Sequence, residues 1–92
     1  MDGSKYIVLE EIDGAENVYV FSNVMDHREF LNRVKRPDEK IVSAGFVSVF
    51  VNEDDEPECS CIGESVTIGV KARPEKDGFL VNQMMRTGSF YT

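Results

Sequence analysis

The chain has few of the residues that carry chemistry. Its 92 residues include one histidine, His27, and two cysteines, Cys59 and Cys61. A closed zinc site needs four ligands, so these three would need carboxylates or a second subunit to complete one. Two cysteines one residue apart are also too few and too close for the disulfide framework of a small secreted domain, and reduced thiols are expected. No apolar run reaches the ~18 residues that span a bilayer. The opening Met1-Asp2-Gly3-Ser4-Lys5 lacks the charged-then-apolar layout of a secretory signal, so a cytoplasmic location and no membrane contact are expected. Basic residues are scarce: ten Lys and Arg against seventeen Asp and Glu leave a net charge of −7. That balance repels phosphate backbones and anionic lipid, which argues against direct nucleic-acid binding.

Specific motifs are missing as well. Gly63-Glu64-Ser65-Val66-Thr67 has Thr67 where a nucleophile elbow needs glycine, and no base is organised for Ser65. Gly3-Ser4-Lys5 is too short for a phosphate loop. The acidic run over residues 52–58 lacks the oxygen-ligand spacing and central glycine of an EF-hand, and Pro57 intrudes. No catalytic residue and no cofactor is expected.

What is present suits a folded domain. With 41% hydrophobic and 29% charged residues, the chain carries more apolar side chains than disordered chains do. One domain over residues 1–92 is expected, with 89–92 frayed. At this length the core is marginal, and pairing with a second copy would bury an apolar face that the chain cannot cover itself.

Tyr6-Ile7-Val8-Leu9 and Val18-Tyr19-Val20-Phe21 are apolar, β-branched runs separated by Asp13-Gly14, which predicts a hairpin. From Asp26 the period changes. His27, Phe30, Leu31 and Val34 recur at i, i+3, i+4 and i+7, predicting a helix over 26–36 with Asp26 as N-cap, Glu29 three residues on, basic residues in the last turn and Pro37 beyond. Residues 41–51 are apolar on both faces and predict a central strand, with a bulge or a close contact at Gly45. Cys59-Ser60-Cys61-Ile62 resumes an extended pattern, and Val66, Ile68, Val70 and Ala72 alternate strictly, predicting a period-two strand. Pro74 opens a second helix with Leu80, Val81, Met84 and Met85 on one stripe and Gly88 as its stop.

The order strand-strand-helix, strand-strand-helix gives an α+β fold: a four-stranded, mainly antiparallel sheet with two helices packed on one face, in ββαββα order. The halves share that order without evident residue identity.

Each candidate group has a packing role beside a chemical one. Cys59 and Cys61 alternate on a strand and could ligate a soft metal, but free cysteines also serve as small buried hydrophobes. His27 starts the apolar helix stripe, where an imidazole at the core rim needs no function. Tyr6, Tyr19, Phe21, Phe46 and Phe50 could form a stacking platform for bases, but the acidic balance favours core packing. Glu53, Asp54, Asp55, Glu56 and Glu58 form the one carboxylate cluster and are the candidate partner-binding residues.

The leading expectation is a non-enzymatic protein-interaction module, acidic and homodimeric, using an open sheet face or edge and its acidic loop to meet a protein partner. Two others stand beside it. One is an acidic decoy that imitates nucleic-acid charge and occupies a basic protein surface. The other is a small metal or ligand sensor built on Cys59 and Cys61 with His27. The strands at 41–51 and 66–72 are the first places to seek a binding surface.

Overall fold

Tyr6, Ile7, Val8 and Leu9 are all fully buried, and four consecutive buried residues on a strand require cover on both faces. The computed structural model, which describes residues 4–87, supplies that cover. Strand β1 (Ser4–Glu10) lies between β2 (Glu16–Phe21) and β3 (Lys40–Val51), and β4 (Pro57–Ile62) pairs with the outer side of β3. The resulting four-stranded antiparallel sheet has the order β2-β1-β3-β4. With its two helices it is the expected α+β class.

The period of two sorts the core into two layers. Tyr6, Val8, Val18, Val20, Val47, Cys59 and Cys61 face helix α2 (Pro74–Thr87) and pack with its Val81. Ile7, Leu9, Phe21 and Ala44 face helix α1 (His27–Val34) and pack with its Phe30, whose ring stacks on Phe21 at 4.0 Å. The helices therefore divide between the two faces instead of sharing one. The uninterrupted apolar run of β1 is the physical reason, because a single helical layer would leave Ile7 and Leu9 in water.

Local chemistry sets most boundaries. Gly14, at φ +92°, closes the first hairpin while Asp13 Oδ1 accepts the Ala15 N–H. Asp26 caps α1 by accepting the Glu29 N–H at 2.7 Å. The sheet register slips between Val8 and Leu9, opposite Val42, so the bulge lies there and not at Gly45. Gly45 instead marks a close approach: a Cβ on it would lie 2.5 Å from the Ile62 carbonyl oxygen.

The alternating run 66–72 is not one strand. Gly63 (φ +83°) ends β4, and Gly69 (φ +67°) closes a turn between β5 (Glu64–Ser65) and β6 (Val70–Lys71), leaving Val66 85% exposed. The left-handed Gly69 overrides the alternation, since an extended strand has no such residue. The short hairpin rests beside β3, and Arg28 of α1 donates to the Thr67 carbonyl at its tip. The element order is thus ββαββββα, with β4 alone as the fourth strand of the main sheet. The expected Gly88 stop and the frayed 89–92 lie outside the described residues.

Candidate functional site

The β3–β4 ribbon is where the sheet is least covered, and its surroundings are set by how α2 is anchored. At the start of α2, Asp77 is fully buried and accepts from five donors. Tyr6 Oη donates to Oδ2 at 2.5 Å and Ser43 Oγ to Oδ1 at 2.9 Å. The Arg73 backbone N–H donates to Oδ2 at 2.8 Å, and its guanidinium reaches Oδ1 through Nε at 3.1 Å and Nη2 at 2.9 Å. Arg73 also forks onto Glu16 at the start of β2, with Lys76 adding a contact at 3.1 Å. Hydrogen bonds from Arg73 hold the Glu16 carboxyl below its ordinary range. Burial, reinforced by Asp77, pushes the Tyr6 phenol well above its own. This centre ties β1, β2 and β3 to the first turn of α2.

With its first turn fixed, α2 places Val81 in the core and Asn82 against the outer edge of β4. Asn82 Oδ1 accepts the Cys59 N–H at 2.7 Å, while Asn82 Nδ2 donates to the Cys59 carbonyl at 3.1 Å. One side-chain amide thus supplies both partners that a further strand would supply. Pro57 has no N–H to offer there. The groove along this edge, lined by Phe50, Glu58, Phe79, Asn82 and Arg86, is blocked to strand pairing at its centre.

Cys59 and Cys61 both point into the α2 layer and are buried. Burial raises both thiols, Cys61 to about 12, so they are protonated small hydrophobes near neutral pH. Cys59 Sγ lies 3.5 Å from Met85 Sδ. His27 sits in the other layer, edge-on to Phe21 and Phe46, with its Nε2–H donating to the Gly45 carbonyl at 2.8 Å. Burial depresses its pKa and keeps the ring neutral. The sheet therefore separates His27 from the two cysteines. Tyr6, Phe21 and Tyr19 are likewise used in packing, leaving only Phe46 and Phe50 of the supposed stacking platform at the surface.

No family model matches the chain, and no curated protein or solved structure matches it either. The site has to be read from its own geometry.

That geometry leaves one face of the ribbon open. Cross-strand partners Phe46 and Ile62, Ser48 and Ser60, and Phe50 and Glu58 lie on the face opposite the α2 core layer, with Phe50 and Glu58 also bordering the groove at the β4 edge. Helix α1 reaches only as far as Phe46, where His27 touches it. Beyond it, Phe46 is 36%, Phe50 46% and Ile62 53% exposed. The ribbon ends in the acidic loop, which is ordered by its own backbone. Asn52 Oδ1 accepts the Asp54 and Glu56 N–H groups, Asn52 N–H donates to the Glu56 carbonyl, and Asp55 takes a left-handed φ of 63°. Glu53, Asp54, Asp55 and Glu56 are exposed, and none of them or Glu58 forms an ion pair among the described residues.

Of the two strands expected to carry a binding surface, 41–51 leaves Phe46 and Phe50 at the surface, whereas 66–69 is a turn. Asp77 and Asn82 were not singled out by sequence. An acid in the first turn of a helix ordinarily faces solvent and the dipole, and nothing local marks Asp77 as the exception.

Proposed function

We propose that the chain is a non-enzymatic interaction module that self-associates through the open face of the β3–β4 ribbon. The observation that carries this reading is the exposed apolar set Phe46, Phe50 and Ile62 on the face of the β3–β4 ribbon, which α1 touches only at Phe46 through His27 and α2 meets only along the β4 edge. The protonated thiols and the neutral, hydrogen-bonded His27 support a role without nucleophilic chemistry. A face is favoured over the β4 edge because Asn82 already occupies that edge.

The scale of the contact follows from strand geometry. Six register pairs at ~3.3 Å rise and two strands at ~4.8 Å spacing give a footprint of about 20 by 10 Å, well short of the ~800 Å² per partner of a standard interface. Association is therefore weak and depends on concentration. Sedimentation equilibrium from about 10 μM to about 1 mM, the range expected for a small interface, should show the average mass rising toward that of a dimer. Phe50→Ser with Ile62→Ser should keep the circular dichroism spectrum and remain monomeric. A wild-type chain that is monomeric across the whole range sinks the proposal.

The ordered, unpaired carboxylates of the 52–58 loop favour one second reading, a charge decoy for a basic protein surface. Its binding would weaken with salt. Reversing Asp54, Asp55 and Glu56 to Lys should abolish binding to a polycationic probe such as polylysine at low salt. Unchanged binding removes the decoy reading and leaves self-association untouched.

A further inference from the structure

Asn82 bars a strand from the β4 flank but leaves the groove beside it open to side chains. The groove follows α2 from Pro74 to Arg86, about 18 Å at ~1.5 Å per residue. Two adjoining hollows make it up. Pro74, Phe50 and Phe79 wall the first, where Phe79 is 62% exposed and Gly78 leaves the helix bare. The second shares Glu58, Asn82 and Arg86 with it and continues to Glu56 and Asn52 at the acidic loop. The charges along the groove are unbalanced. Glu56, Glu58 and Glu75 line it against Arg86, and none of the four forms an ion pair among the described residues. Arg73 and Lys76, at the start of α2, are drawn to Glu16 on the β2 side. Glu53, Asp54 and Asp55 stand in the loop beyond the second hollow, and the carbonyl end of α2 adds partial negative charge there.

We infer that this groove receives a basic segment of another protein, with one apolar side chain in the hollow of Pro74, Phe50 and Phe79 and arginine or lysine side chains against Glu56 and Glu58. Charge complementarity selects that occupant, because the carboxylates outnumber the single cation along the groove and the acidic loop extends the same sign outward. A second copy carries −7 itself and is opposed by the same field. Recognition runs through side chains and not through a backbone ladder, since Asn82 already holds the Cys59 N–H and carbonyl. The occupant can therefore be a loop or a helix as well as an extended chain. What it must carry is an apolar anchor and, about 10 Å from it, positive charge: Phe79 and Arg86 are that far apart along α2 at ~1.5 Å per residue, and about three extended residues bridge the gap.

The probe is a capped Leu-Ser-Ser-Arg-Arg peptide titrated into the ¹⁵N-labelled chain at low salt. Amide shifts should move along 75–86 and 58–60 together with the loop. Replacing the leucine of the peptide by serine should weaken binding about tenfold, as loss of a central anchor does, and Phe79→Ser should do the same while keeping the circular dichroism spectrum. Arg86→Gln should tighten binding by roughly threefold, since it removes the cation that competes for Glu56 and Glu58. A purely structural role for Arg86 would give no gain, and an unchanged or weaker affinity counts against the inference. Shifts confined to 53–56 and indifferent to the leucine would mean that the loop attracts charge without the groove; they overturn the inference and favour the charge decoy. Tighter binding of Leu-Ser-Ser-Glu-Glu overturns the basic occupant, and no binding by either peptide overturns the site. Phe79 and Arg86 lie off the open ribbon face, so each of these results leaves the self-association reading standing.

Discussion

Replacing Asp77 with alanine is expected to cost about 3–5 kcal/mol of folding free energy, the range seen when one partner of a buried pair is removed. The carboxylate accepts from Tyr6, Ser43 and three Arg73 groups, and no water reaches it to take over. Without it the Tyr6 hydroxyl keeps only the weak Cys61 thiol as partner, and the Ser43 hydroxyl loses its Asp77 acceptor. Arg73 keeps Glu16 but loses the contact that turns its guanidinium inward. A domain of this length holds roughly 5–14 kcal/mol in all, so the loss is a large share of the total. Asp77→Asn should fall between alanine and wild type, since it retains one acceptor oxygen and turns an NH₂ toward a donor. Tyr6→Phe should cost only about 1–3 kcal/mol, because it removes one donor and leaves the carboxylate four others. Urea titration reads these differences as shifts in midpoint at unchanged slope. If the alanine variant loses less than about 1 kcal/mol, the centre does not anchor α2 as described.

Gly45→Ala is the second large effect, at about 3 kcal/mol, near the upper end of what overpacking costs. The new methyl would lie 2.5 Å from the Ile62 carbonyl oxygen, 3.1 Å from Ala72 Cβ and 3.2 Å from Tyr6 Cε1. The nearest atom belongs to the backbone, so relief requires β3 and β4 to separate where their pairing begins. Gly78 supplies the control. It lies inside α2, and a Cβ there meets only the Cys59 carbonyl at an ordinary 3.9 Å. Gly78→Ala should therefore stabilise by about 0.5–1 kcal/mol through helix propensity and a less flexible unfolded chain. The two substitutions are chemically identical and opposite in sign, and thermal unfolding separates them. Equal effects at the two glycines would mean that the approach at Gly45 relaxes without cost.

What was legible in the sequence was what neighbouring residues decide among themselves. The Asp26 cap with Glu29 three residues on, the Asp13-Gly14 turn, Pro74 as the first residue of α2 and the two strands around the acidic loop all rest on spacings of a few residues, and they stand as read. The failures needed distant partners or backbone geometry. Alternation at Val66, Ile68, Val70 and Ala72 fits a strand, but Gly69 in a left-handed conformation turns the chain back within it. The placement of the helices was written in the unbroken Tyr6 to Leu9 run, which pattern alone could have assigned to a strand buried on both faces. The Asp77 centre was out of reach, because its shortest bond joins residues 71 positions apart. The open face was half visible: Phe46 and Phe50 belonged to the strand singled out, while the cover that stops at Phe46 is a property of packing.

The amide of Asn82 has a consequence for how far assembly can proceed. A sheet extends from molecule to molecule by joining one flank to another, and such growth has no natural end. Here the flank at β4 is met by a side chain of the same molecule, which satisfies Cys59 as a neighbouring chain would. The self-association proposed above, a face-to-face contact between two copies, would use up the contact surface of both participants and stop. At the β4 flank, then, a single residue on a helix takes the place that a neighbouring strand would fill at Cys59.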